Sequence, residues 1–132
     1  MVYFQNDRIL ITYDEGAALV RTQWKGFANS EEYRQILNTY LQLVTEKKVL
    51  RWIGDNTNAK AIRPSDQEWT VQEWAPKFSA QGNVERMAVI VSKDIFNKMA
   101  VDNILLKAGI AVRFDTHYFD NEAAALAWVM EA

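Results

Sequence analysis

The stretch VLRWIGDNTN, residues 49–58, decides the fold. Val49, Leu50, Trp52 and Ile53 form a short apolar run rich in β-branched and aromatic residues, which predicts a buried parallel strand. Gly54 and the polar residues after it predict that the strand opens into a loop, Asp55 to Arg63. In open α/β sheets, binding and chemistry gather beyond the carboxyl ends of such strands, so this loop is the first candidate site.

Upstream of it, Ile9, Ile11 and Tyr13 alternate with Arg8, Leu10 and Thr12, then Asp14-Glu15-Gly16 supplies a turn. Ala18, Val20, Thr22 and Trp24 alternate with Leu19, Arg21, Gln23 and Lys25. The two runs predict an antiparallel hairpin at a sheet edge, where a half-polar face is tolerated. Ser30 is the expected cap of the next helix, with Glu31 and Glu32 in its first turn. There Tyr33, Ile36, Leu37, Tyr40, Leu41 and Val44 recur at helical spacing, and the stripe must lie on the sheet. Lys47 and Lys48 fall in its expected last turn, compensating the helix dipole.

Downstream, Pro64 and Ser65 open a second helix, with Ser65 and Glu68 at capping-box spacing. Val71, Trp74, Ala75 and Phe78 share one face, Trp69 lies nearly opposite Phe78, and Pro76 is expected to end or kink the helix. Met87 to Val91 is an uninterrupted apolar run, hence a strand covered on both faces. Ser92 or Asp94 caps a third helix carrying Phe96, Met99, Ala100, Val101, Ile104, Leu105 and Ala108, and Gly109 ends it. Ile110 to Tyr118 alternates as a last strand, and Asn121 to Met130 closes as an alanine-rich helix. The order β-β-α-β-α-β-α-β-α predicts one mixed, mostly parallel sheet with an N-terminal antiparallel hairpin. With 132 residues, 49% of them hydrophobic, and no linker or repeat, the whole of 1–132 is expected to be one domain.

The chain has no cysteine, which removes disulfides, thiolate chemistry and Cys-ligated metals. Its net charge of −2 with interspersed signs gives no basic stripe for nucleic acid. No apolar run is long enough to span a bilayer and the N-terminus has no leader pattern, so a cytoplasmic protein without membrane insertion is expected. GxSxG, GxxxxGK and HExxH motifs are absent. His117, the single imidazole, has Asp115 and Asp120 near it but no nucleophile, and reads as a surface histidine. No loop is spaced for a metal, and no cofactor is implied. The chain is therefore expected not to be an enzyme.

Together the opening hairpin, the helix EEYRQIL, the strand ending in GD, DQEW followed by EWAPKF, the strand MAVIVS, and Phe119 with Ala125 and Trp128 in AALAWV resemble small bacterial proteins of the STAS class. That class includes the anti-sigma-factor antagonists and shares its architecture with the lipid-binding CRAL-TRIO domains. The resemblance implies a right-handed β-α superhelix with strands in sequential order, in a subgroup without an assigned activity. It also implies a phosphorylatable hydroxyl soon after an aspartate beyond the central strand, where Asp55 and Thr57 stand in GDNTN. The chain departs from that pattern in Asn58-Ala59-Lys60 and in the delay of the helix to Pro64.

The resulting expectation is a binding or regulatory module that contacts a partner protein, or a second copy of itself, through Asp55, Thr57 and an apolar spot of Ile62 with Trp69. The half-polar faces of the hairpin and the last strand are further candidates for a dimer contact. The alternative is a carrier of a small apolar ligand, as in CRAL-TRIO domains. Against it stands the need of five tryptophans for a place in a small core.

Overall fold

A computed structural model describes residues 1–109 and 114–131. Six strands form one sheet in sequential order: β1 (Val2–Gln5), β2 (Ile9–Asp14), β3 (Leu19–Gly26), β4 (Arg51–Ala59), β5 (Arg86–Ile90) and β6 (Asp115–Phe119). The first three are antiparallel, and β3 to β6 run parallel. The helices are α1 (Ser30–Glu46), α2 (Pro64–Trp69), a π turn (Thr70–Trp74), α3 (Ala75–Gln81), α4 (Ile95–Ala108) and α5 (Glu122–Val129). The α/β class, the mixed sheet and the sequential strand order follow the expectation. The first part of the anticipated last strand, 110–113, lies outside the described residues.

The hairpin of β2 and β3 forms in the expected register, Ile9 opposite Trp24 and Tyr13 opposite Val20. It is not the sheet edge, because β1 pairs outside β2 and β4 pairs with β3. The apolar stretch Val2-Tyr3-Phe4 before Asn6-Asp7 is the strand signal that the search for a leader passed over. Nor does the central strand stop at Gly54. Its continuation through Ala59 pairs with the outgoing end of β3, Lys25 with Asn58 and Gly26 with Ala59, while β5 accompanies it only as far as Asp55. Polar residues are tolerated in this strand because its last turns have a neighbour on one side alone.

On one sheet face, Ile9, Ile11, Tyr13, Val20 and Trp52 pack against Tyr33, Ile36, Leu37, Tyr40, Leu43 and Val44 of α1 and Phe78 of α3. Leu43 takes the buried place expected for Leu41. On the other, α5 sets Ala125 and Val129 on Leu19, Ile53, Ala88 and Ile90. α1 is capped by Asn29, not Ser30: the Asn29 side chain accepts from the Glu32 amide and the Glu32 side chain accepts from the Asn29 amide. Ser30 is thereby free to donate to Asp66 Oδ2 at 2.8 Å. α1 ends at Glu46, so Lys47 is its C-cap rather than part of its last turn.

The second helix departs most from its pattern. No side chain caps it, so the Ser65–Glu68 box does not form, and proline at its first position makes one less necessary. Pro76 does not end it. Proline cannot donate and would crowd the carbonyl four residues back, and the chain answers with the π turn, in which the Ala75 amide reaches back five residues to Thr70 O. One extra residue in that turn removes about 100° of rotation between Trp69 and Phe78. Thr70 becomes buried in place of Val71, and Trp69 swings from the outside to the core edge.

Candidate binding site at the open end of the sheet

Beyond Asp55, β4 bulges: four residues, 55 to 58, span what β3 covers in three, 23 to 25. The bulge is held by Asp55, whose Oδ1 accepts from the Thr57 amide at 3.0 Å and the Thr57 hydroxyl at 2.6 Å. Asp55 and Thr57 are thus brought together, inside a strand end rather than a free loop. The next residues are stitched to the start of α4. Lys93 N donates to Thr57 O at 3.3 Å, Ser92 Oγ to Ala59 O at 2.8 Å, and Asn97 Nδ2 to Lys60 O at 2.8 Å. Ser92 Oγ also accepts from the Asp94 amide, and Asp94 caps α4 by accepting from Phe96 N and Asn97 N. Both anticipated caps therefore act in sequence, Ser92 on Asp94 and Asp94 on the helix.

This stitching fixes α4 with an apolar outer side. Ile95, Phe96 and Met99 are 65%, 67% and 61% exposed on its first turns, with Leu106 further along, whereas Val101, Ile104, Leu105 and Ala108 face inward. Phe96 and Met99 stand in solvent. Apolar residues occur on every side of the helix, with Lys98, Asp102 and Lys107 scattered among them, where a helix on a sheet ordinarily confines them to one face. Lys60, Lys93 and Lys98 are exposed in or just before this helix and at the strand end bonded to it, Asp102 is exposed on the helix as well, and Lys60 Nζ lies 3.9 Å from Asp94 Oδ2. Sequence reasoning passed over this patch because it did not sort the apolar residues of α4 into faces; their spread around the whole circumference of 95–108 was the available signal.

Between the sheet and α1, the π turn, α3 and α4 lies a cavity of about 160 Å³. Its floor is the row Thr22, Gly54 and Val89, in register across β3, β4 and β5, and its walls include Trp74, Phe78, Ile104 and Ile62. Ile62 and Trp69 do not make one exposed spot. Ile62 is cavity wall, while Trp69 is half-buried edge-on to Tyr33, ring centroids 6.4 Å apart, under the Arg34 guanidinium. Arg34 is turned by Asp66, which is 1% exposed and accepts from Arg34 Nε at 3.0 Å.

Two tyrosines complete the lining. Tyr33 bonds Thr70 Oγ1 at 2.8 Å, and Tyr40 accepts from Trp24 Nε1 at 3.0 Å; burial raises both phenols above the usual tyrosine range. His117 is exposed and stacks on Trp128, 4.4 Å between centroids. Among the described residues no group of three His, Cys, Asp or Glu is placed to hold a metal, and no helix is long and apolar enough to cross a membrane.

A six-stranded sheet in sequential order, with an antiparallel entry and helices on both faces, defines a STAS-type module. The profile of the SpoIIAA-like family matches residues 19–130, and the chain belongs to that family. A crystal structure from Shewanella loihica PV-4, of an uncharacterised DUF3478 protein with a SpoIIAA-like fold, is similar at a TM-score of 0.61 and 16% identity, over 98% of this chain and 99% of that one. That likeness speaks for the fold. No protein with a curated description matches the chain.

Proposed function

We propose that the protein is a non-catalytic binding module that docks another protein at the open end of its sheet. The observation that carries this reading is the exposed trio Ile95, Phe96 and Met99, placed by the Thr57–Lys93 and Asn97–Lys60 bonds at the mouth of β4. Contiguous apolar surface on a small protein marks a contact site. The exposed Lys60, Lys93 and Lys98 near it in the fold suit a partner with an apolar centre and an acidic rim. Thr57, held by Asp55, is joined to the start of α4 through the Lys93 amide. Phosphorylation of Thr57 would replace its bond to Asp55 with repulsion and set negative charge against the lysines, which weakens an acidic partner.

A photocrosslinking residue at position 96, expressed in the cells that make the protein, tests this reading. It is expected to capture a defined partner, captured no longer when Met99→Ser is added and not captured from position 42 on α1. Equal capture from 96 and 42 would sink it. If the captured species is a second copy of the chain, the partner is itself, and light scattering will show a mass that falls with Met99→Ser. A second reading, carriage of a small apolar molecule, is supported by one observation, the aromatic-lined cavity beneath α4.

A further inference from the structure

The cavity's polar inventory is nearly closed. Tyr33 donates to Thr70 Oγ1, which in turn donates to Asp66 O at 2.7 Å, Tyr40 takes the Trp24 indole N–H, and Trp74 Nε1 donates to Leu37 O at 2.6 Å. Two lining asparagines remain: Asn56 is only half-buried, and Asn97 is the buried exception. It lines the cavity, is 3% exposed, and spends its Nδ2 on Lys60 O, leaving Oδ1 buried without a partner among the described residues. Buried acceptors are seldom left unpaired, because their lost hydration is uncompensated.

We infer that Asn97 Oδ1 is the anchor for a small neutral guest that is apolar over most of its surface and carries one hydrogen-bond donor. The inference rests on the carriage reading and specifies its ligand. Size follows from volume: an apolar cavity of roughly 150 Å³ admits benzene, so a guest of one ring or a short alkyl chain fits and a long acyl chain does not. Neutrality follows from the lining, whose one charged side chain, Lys60, is exposed at the rim and already near Asp94. A buried anion or cation would find no counter-charge inside. Donor character follows from Asn97, since a guest offering only acceptors would leave Oδ1 unpaired.

Phenol and toluene, nearly equal in shape, separate the parts of the proposal. Each is titrated into isotope-labelled protein and followed by NMR at the Gly54 amide and the Trp74 indole. Both are expected to bind, and Asn97→Ala is expected to weaken phenol about tenfold while leaving toluene unchanged. Gly54→Val, which fills the floor of the cavity, is expected to abolish both while the spectrum stays folded. If Asn97→Ala weakens both guests equally, or leaves phenol unaffected, the anchoring role is overturned and carriage stands. If neither guest moves the cavity resonances of the unaltered protein, or if Gly54→Val binds both as before, carriage itself fails.

Discussion

Replacing Gly54 by valine should make the protein more stable, which is unusual for a substitution in a central strand. Gly54 pairs with Thr22 and Val89 on the face that floors the cavity, and a Cβ built on it meets its nearest neighbour, Thr22 Oγ1, at 3.7 Å, an ordinary contact. Three carbons placed in empty apolar space, at about 0.8 kcal/mol for each buried CH2, gain about 2 kcal/mol. Relief of glycine's backbone entropy within a strand adds about 0.5 kcal/mol, offset by the fixed valine rotamer. A chain of 132 residues unfolds with an entropy of about 0.28 kcal/mol/K, so about 2 kcal/mol raises Tm by roughly 7 °C.

The control is Ala88→Val on the neighbouring strand. Ala88 is 0% exposed on the opposite face, pressed under α5, and two added carbons there overpack a filled layer at a cost of about 1–3 kcal/mol. Urea and thermal unfolding of the two variants should move in opposite directions. If Gly54→Val destabilises as Ala88→Val does, the space above Gly54 is filled and the cavity argument is refuted.

Three further outcomes follow from buried polar groups. Asp66→Ala removes the acceptor of Ser30 Oγ and Arg34 Nε; because Arg34 is 39% exposed and partly screened, the loss should be about 1–3 kcal/mol by urea unfolding. Tyr33 and Tyr40 have phenols raised by burial, so above about pH 10 the unfolded chain releases protons that the folded one keeps. Their contribution to stability is complete below that pH and then falls by up to ~1.4 kcal/mol per pH unit for each, which urea midpoints at pH 8, 10 and 11 will show. Thr57→Glu exchanges a hydroxyl bonded to Asp55 for a second carboxylate; about 1 kcal/mol should be lost, with faster hydrogen exchange at the Lys93 amide that binds Thr57 O.

Much of the fold was legible because most segments obeyed a single periodicity. The hairpin, α1 and the apolar run of β5 each carried a pattern that one buried face explains. Where two effects competed, the pattern misled. Pro76 inserted a π turn that no helical wheel with constant rotation anticipates, and it carried Trp69 from an apparently free position onto Tyr33. β4 read as ending at Gly54 because its polar tail was weighed without its neighbour, although β3 was long enough to pair with it. The candidate site was half visible: Asp55 and Thr57 stood out through the family resemblance, whereas Phe96, Met99 and Asn97 were hidden in a helix whose residues had not been sorted into faces. An apolar helix on the outside of a sheet says nothing of its exposure until the strands beneath it are placed.

The account holds that this protein acts by holding something at the mouth of β4 and α4. The direct measurement is an NMR footprint of the isotope-labelled protein with its photocrosslink-identified partner. Thr57, Lys60, Lys93, Phe96 and Met99 should shift or broaden while β1 and the outer side of α5 stay unchanged. A footprint centred on β1 or α5, with Phe96 and Met99 unmoved, would contradict it.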